Sequence, residues 1–325
     1  MLKNNHAWFI LGTGAIGTLW AAKLLQQMIP CVLLQRSVPL VTASPASTVA
    51  ETKPTTVTLK ITQLDNTEQC YEADLQAVNS SQAINKLIVC TKSYQAVTAI
   101  LPLLSRLTDD ATIVLLQNGM GQQQAIAKLF PTQTIIAAST TEGAFLEDKL
   151  CVKHAGAGVS FYGNFNKNQP IQQKISTVLN AIGMQQHPDI QQILWNKLTI
   201  NCVINPLTAI YNCKNGELLH NALYETQVKK LCLEVDKIAN ALGCSIPENQ
   251  KDRASKGNLT TLQKVHQVLK ATADNYSSMQ QDIKYQRKTE IEFINGYLQQ
   301  QASLLHISLP ENLSIIKQIE HLQVT

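Results

Sequence analysis

Residues 7–23, AWFILGTGAIGTLWAAK, decide the fold. Ala7–Leu11 is a short apolar run of strand length. Gly12-Thr13-Gly14-Ala15-Ile16-Gly17 follows at once, and Thr18–Met28 then carries a helix pattern. A strand, a GxGxxG loop and a helix in that order form a dinucleotide-binding arrangement. The first glycine permits the tight turn, the second lets a pyrophosphate approach the backbone, and the third lets the helix pack on the strand. The helix N-terminus then turns its free N–H groups and positive dipole end toward the phosphates. Lys3 followed by an apolar run superficially resembles an export signal. The spaced glycines account for the stretch better, so export is not expected and a cytoplasmic location is.

The next run, Cys31–Leu34, reads as the second strand and ends in Gln35-Arg36-Ser37. A site specific for NAD would place an acid there to hold the ribose hydroxyls. Arg36 instead offers a fork of donors to a 2′-phosphate, which points to NADPH. Residues 38–60 read as a loop. A strand–turn–strand follows, around Val57–Ile61 and Cys70–Ala73. Two further strands, Asn85–Cys90 and Thr112–Leu116, end in TKSYQ and QNGMG. Lys92 and Asn118 therefore lie at carboxyl ends of strands, where doubly wound sheets bind ligands. A helix is expected over Ala96–Leu104 and a strand over Thr134–Ala138. Short strands at Leu150–His154 and Val159–Gly163 would extend the sheet in antiparallel fashion. The fold class is thus α/β, an N-terminal Rossmann-type doubly wound sheet with an antiparallel extension.

From about Gln191 the periodicity is helical and no strand pattern recurs, which implies a C-terminal all-helical domain. The junction is expected near His187-Pro188, giving domains 1–187 and 188–325. Helices are expected over Leu223–Leu242, closed by Gly243, over Thr261–Ala273, and over Thr289–His306 with Glu290 in its first turn. Within Leu194–Leu218, LWNKLTINCVINPLTAIYNCKNGEL, the residues Lys197, Asn201 and Asn205 recur at intervals of four and share one helix face. A cation and two carboxamides in an apolar helix cost several kcal/mol unless they find partners. Such a row suits a small anionic keto compound that needs hydrogen bonds and a proton. Pro206 is expected to interrupt the helix directly after Asn205.

Bulk properties narrow the function classes. The chain has 325 residues, 45% of them apolar, and a formal charge of +4 without any Lys/Arg run, so a nucleic-acid partner is not expected. No uninterrupted apolar stretch reaches membrane-spanning length. The eight cysteines form no CxxC pair and no Cys/His spacing suits zinc, so they read as reduced core residues and no metal site is expected.

The motifs GTGAIG, TKSYQ, QNGMG, LWNKLTINCVINPLTAIYNCKNGEL, NYSSMQQDI and KTEIEFINGY, in this order, resemble the ketopantoate reductase (2-dehydropantoate 2-reductase) family over nearly the whole chain. The resemblance implies reduction of 2-dehydropantoate to (R)-pantoate with NADPH, in pantothenate and coenzyme A synthesis, by a monomer or homodimer. It also implies a helical domain like the C-terminal one of 6-phosphogluconate dehydrogenase. By that resemblance Lys197 is the catalytic acid and also contacts substrate, with Asn201, Asn205, Asn215 and Ser278. The cofactor positions are Gly12, Thr13, Gly14, Ala15, Ile16, Gly17, Arg36, Lys92, Asn118, Ala144 and Glu290. The chain departs from the family in residues 38–80 and at Gln117, and neither departure touches a site residue named here.

Chemically, an ammonium at Lys197 would stabilise charge growing on the ketone oxygen and donate the proton, while the carboxamides and Ser278 hold the carboxylate and hydroxyl. Glu290 would neutralise Lys197 or grip the nicotinamide ribose, and a cleft between the domains would close on binding. Two other readings stay open. One is an NADPH-dependent reductase of another 2-keto or 3-hydroxy acid. The other is a non-catalytic NADPH-binding protein, which would not need Lys197.

Overall fold

The computed structural model describes residues 7–35, 55–167, 169–244 and 260–324. The chain divides into two compact units, Met1–Gln117 with Gln122–Ile190, and Asn118–Gly121 with Gln191–Thr325.

The first unit carries one eleven-stranded sheet. Its elements are β1 (Trp8–Leu11), α1 (Ala15–Gln26), β2 (Cys31–Gln35), β3 (Thr55–Thr62), β4 (Glu68–Ala77), β5 (Ile84–Val89), α2 (Ser93–Ile100), β6 (Leu107–Leu115), α3 (Gln122–Leu129), β7 (Thr134–Thr140), β8 (Gly143–Asp148), β9 (Cys151–Gly156), β10 (Ser160–Asn164), α4 (Gln173–Ala181) and β11 (Met184–Gln186). Six strands run parallel in the order β4-β2-β1-β5-β6-β7, the doubly wound arrangement whose strand order reverses between β1 and β5. β1 and β7 are buried throughout, as near-continuous apolar runs must be when both sheet faces are covered.

The additional strands differ from the expectation in placement. β9 joins the edge beyond β3, whereas β10 pairs antiparallel with β7 at the opposite side. β8, antiparallel to β9, was not foreseen, because an exposed edge strand carries no apolar alternation. Helix α1 begins at Ala15, three residues before the expected Thr18, since the extended backbone of Gly14 already serves as its N-cap.

The second unit is helical, with α5 (Ile190–Ile210), α6 (Glu217–His220), α7 (Ala222–Ala241), α8 (Thr261–Ala271), α9 (Ser278–Lys284), α10 (Asn295–Leu304) and α11 (Pro310–Val324). Two expectations are corrected here. Helix α5 runs unbroken through Pro206. A proline removes the N–H that would serve the carbonyl four residues earlier. That carbonyl, of Cys202, receives the Asn295 Nδ2–H at 2.8 Å instead. The helix expected from Thr289 is also divided. Ile291–Phe293 forms a 3-10 turn and α10 starts at Asn295, so Glu290 precedes the α-helix rather than lying in its first turn. Ile294 leaves helical space at φ −106° and ψ −88°, and the Phe293 carbonyl accepts the Met120 N–H at 2.9 Å. Gly243 takes φ +64°, the left-handed C-terminal stop read from the sequence. No described helix is long and apolar enough to cross a membrane.

Candidate active site

In the first unit the loop between β1 and α1 is shaped by its glycines. Gly12 has φ +101°, and a Cβ there would lie 2.6 Å from the Thr91 backbone nitrogen. A Cβ on Gly17 would lie 1.9 Å from the Gly12 carbonyl oxygen. Both glycines are therefore demanded by the packing of helix on strand. Gly14 is exposed, and a Cβ there would meet nothing within 4 Å. No side chain caps α1, so its first N–H groups and its positive dipole end are left for an anion. Thr13 turns its carbonyl inward to the Thr18 hydroxyl, Ile16 packs on the core, and Ala15 opens the helix. These features fit a bound pyrophosphate.

Lys92 is the N-cap residue of α2, one position past Thr91, and so lies beside this loop where β1 and β5 diverge. The buried Gln117 donates its Nε2–H to the Val89 carbonyl at 2.6 Å and holds the ends of β6 and β5 together. Ala144 lies in β8 and packs against Leu19, Ala22, Ile61 and Val152. Its neighbour Glu142 takes hydrogen bonds from Lys23 at 2.7 Å and from His154 at 2.6 Å, tying α1 to β8 and β9. Burial raises the Glu142 carboxyl, but these two partners outweigh it and hold the group below its ordinary range. Arg36 lies outside the described residues.

The second unit gathers a polar group around α5. Lys197 donates to Asn118 Oδ1 at 2.8 Å, and Asn118 Nδ2 donates to Glu290 Oε2 at 3.1 Å. The carboxamide orientation is dictated from both ends, because the ammonium needs an acceptor and the carboxylate needs a donor. Desolvation pushes Lys197 down to about 8 from an ordinary 10.5, against the opposing attraction of Glu290. Glu290 itself is 4% exposed. Asn118 reaches this group because the stretch Asn118–Gly121 packs with the helical unit. Gly119 sits at φ +78°, and a Cβ there would come within 2.2 Å of the Phe293 carbonyl oxygen.

One and two helical turns beyond Lys197 are Asn201 and Asn205. Among the described residues neither carboxamide has a hydrogen-bond partner, although Asn201 is half-buried and Asn205 only 8% exposed. Two carboxamides on the face of Lys197 thus keep hydrogen-bonding capacity that a small polar ligand could use. Asn215 donates Nδ2–H to Thr272 Oγ1 at 2.9 Å, and its Oδ1 is buried without a partner. Ser278 is the exposed first residue of α9. Its neighbour Ser277 is the buried one. Ser277 caps α9 through the Gln280 N–H at 3.1 Å, accepts from Thr208 at 2.7 Å, and donates to the Asn205 carbonyl at 3.4 Å. It thereby fixes Ser278 near the Asn205 turn. Ser277 was missed in the sequence, although Ser-x-x-Gln is a legible capping pattern.

Two family models match most of the chain, "Ketopantoate reductase PanE/ApbA" over residues 8–167 and "Ketopantoate reductase PanE/ApbA C terminal" over residues 189–323. The 2-dehydropantoate 2-reductase of Vibrio cholerae serotype O1 is 32% identical over 97% of each chain. That of Escherichia coli O157:H7 is 34% identical over 72% of this chain and 73% of its own. A D-mandelate dehydrogenase solved with NADH and anilino(oxo)acetate shares the fold, with a TM-score of 0.80 over 98% of each chain at 20% identity. Together with the glycine loop and the Lys197 face, these matches establish that the chain belongs to the ketopantoate reductase family of oxidoreductases.

Proposed function

We propose that this chain reduces 2-dehydropantoate to (R)-pantoate with NADPH, in the cytoplasmic synthesis of pantothenate and coenzyme A. The observation that carries the reading is the Lys197–Asn118–Glu290 relay beside two unpaired carboxamides on one helix face. The names of the relatives support the substrate, and eight free cysteines suit a reducing compartment.

The dinucleotide belongs to residues 1–187 and the substrate to 188–325, with Asn118 acting alongside the second set. Gly12–Gly17 and the uncapped start of α1 would receive the pyrophosphate, with Lys92 supplying a nearby cation. Ala144 completes the cofactor set by family resemblance. Arg36, with no acid beside it, supports NADPH over NADH. When bound, the cofactor supplies the hydride for the C2 ketone.

The residues of this chain do the rest. Lys197, with a pKa of about 8, is mostly protonated at neutral pH yet readily gives up its proton. Its Nζ–H faces the oxygen on which negative charge grows and donates to it, a contribution of roughly 10²–10⁴ in rate. Asn118 aims the ammonium, and Glu290 fixes Asn118. Asn201, Asn205, Asn215 and Ser278 hold the carboxylate and hydroxyl of the substrate through neutral hydrogen bonds, and the open Oδ1 of Asn215 suits a hydroxyl donor.

The test is turnover. Purified protein with NADPH and 2-dehydropantoate should yield (R)-pantoate, identified by chiral chromatography. Faster reduction of another 2-keto acid, or no product from any, would refute the assignment.

A further inference from the structure

The second unit holds a buried polar chain that the proposed reaction does not use. The Glu234 carboxylate on α7 is 4% exposed and accepts the N–H groups of Glu311 and Asn312 at 2.9 and 2.8 Å, at the start of α11. The Asn312 side chain, fully buried, donates to the Asn295 carbonyl at 3.1 Å and accepts Asn295 Nδ2–H at 2.9 Å. Asn295 Nδ2 also donates to the Cys202 carbonyl at 2.8 Å. The chain therefore ends on α5, at the residue between Asn201 and the turn of Asn205.

That carbonyl is the one Pro206 deprives of its helical donor. A buried carbonyl without a donor is unfavourable, and a proline at this point ordinarily kinks a helix. Here α5 continues to Ile210. The turn at stake spans Asn201 to Asn205, both assigned above to the substrate. Asn295 is oriented by its partners, since two acceptors face its Nδ2, and a flipped amide would set its oxygen against both.

We propose that Asn295 is a positioning residue, supplying to the Cys202 carbonyl the hydrogen bond that Pro206 cannot and so holding Asn201 and Asn205 in one row. The kinetic part rests on the substrate reading above, and the structural part does not. Proline at 206 keeps α5 from closing its own ladder, and the second unit's polar chain closes it from outside.

The test is a double-substitution cycle on the full chain, Asn295→Ala with and without Pro206→Ala, because alanine at 206 returns the missing N–H. Two readouts are taken, amide hydrogen exchange over residues 198–210 and the KM for 2-dehydropantoate. With Pro206 present, Asn295→Ala should speed exchange and raise KM about tenfold each, while the KM for NADPH stays within about twofold. With Pro206→Ala, the same change should alter both by less than about threefold. Equal effects in both backgrounds, or a lowered melting temperature with unchanged exchange, would overturn the proposal. Should Asn295→Ala fail to fold, recovery of folding by Pro206→Ala supports the link and failure in both backgrounds refutes it. If the wild type does not reduce 2-dehydropantoate, the substrate reading fails and the exchange cycle alone decides the role of Asn295.

Discussion

Burial that lowers the Lys197 ammonium to about 8 dictates where the reaction fails in alkaline solution. A general acid works only while it holds its proton. With this pKa, about nine-tenths of Lys197 is protonated at pH 7 and about one-tenth at pH 9. The kcat/KM for the keto acid should therefore fall about tenfold between those values. A lysine at its ordinary pKa would still be about 97% protonated at pH 9, and the profile would be nearly flat. Glu290 opposes the shift, so Glu290→Gln should move the descending limb to lower pH. Initial rates of cofactor oxidation from pH 6 to 10, at fixed ionic strength and with cofactor saturating, measure this directly. A guanidinium does not titrate in that range, so Lys197→Arg should lose the limb along with most of its activity. A flat wild-type profile to pH 10, or a limb that persists in Lys197→Arg, would refute the assignment of the acid.

Four other outcomes are expected. The unfolded chain holds the Lys197 proton more tightly than the folded one, so folding stability should rise with pH between about 8 and 10.5, and Lys197→Met should lose that rise in pH-dependent denaturant titrations. Gly14→Ala meets open space and should keep the wild-type melting temperature while weakening NADPH binding, whereas Gly17→Ala, with its Cβ 1.9 Å from a carbonyl oxygen, should destabilise the fold itself. Asn201→Ala and Ser278→Ala should each cost about 1–3 kcal/mol in 2-dehydropantoate binding, read as KM, with NADPH affinity nearly unchanged, and substitution at the buried Thr199 should instead lower thermal stability. Arg36→Asp should weaken NADPH binding by about 1–3 kcal/mol, and equal kcat/KM for NADPH and NADH in the wild type would remove the basis for that expectation.

What the sequence disclosed were the features written in local spacing. The strand, glycine loop and helix at residues 8–26 are one contiguous signal, and the four-residue interval of Lys197, Asn201 and Asn205 sets them on one face of a helix that the structure contains. Most of the failures share a cause, contacts between residues far apart in the chain. Asn118 is 79 positions from Lys197 and 172 from Glu290, so no window of sequence joins them into a relay. Pro206 reads locally as a helix breaker, and only the amide of Asn295, 93 residues from the Cys202 carbonyl it serves, overrides it. β8 went unread because its residues are largely exposed and carry no alternation. The capping role of Ser277, beside Ser278, went unread, since its burial is disclosed only by Thr208 and Asn205 on another helix.

The central claim, that Lys197 gives the proton in a reduction of 2-dehydropantoate, is tested most directly by steady-state kinetics of Lys197→Ala beside the wild type. The account predicts a kcat at least ~10²-fold lower with NADPH affinity nearly unchanged. Lost NADPH binding with turnover largely retained would contradict it.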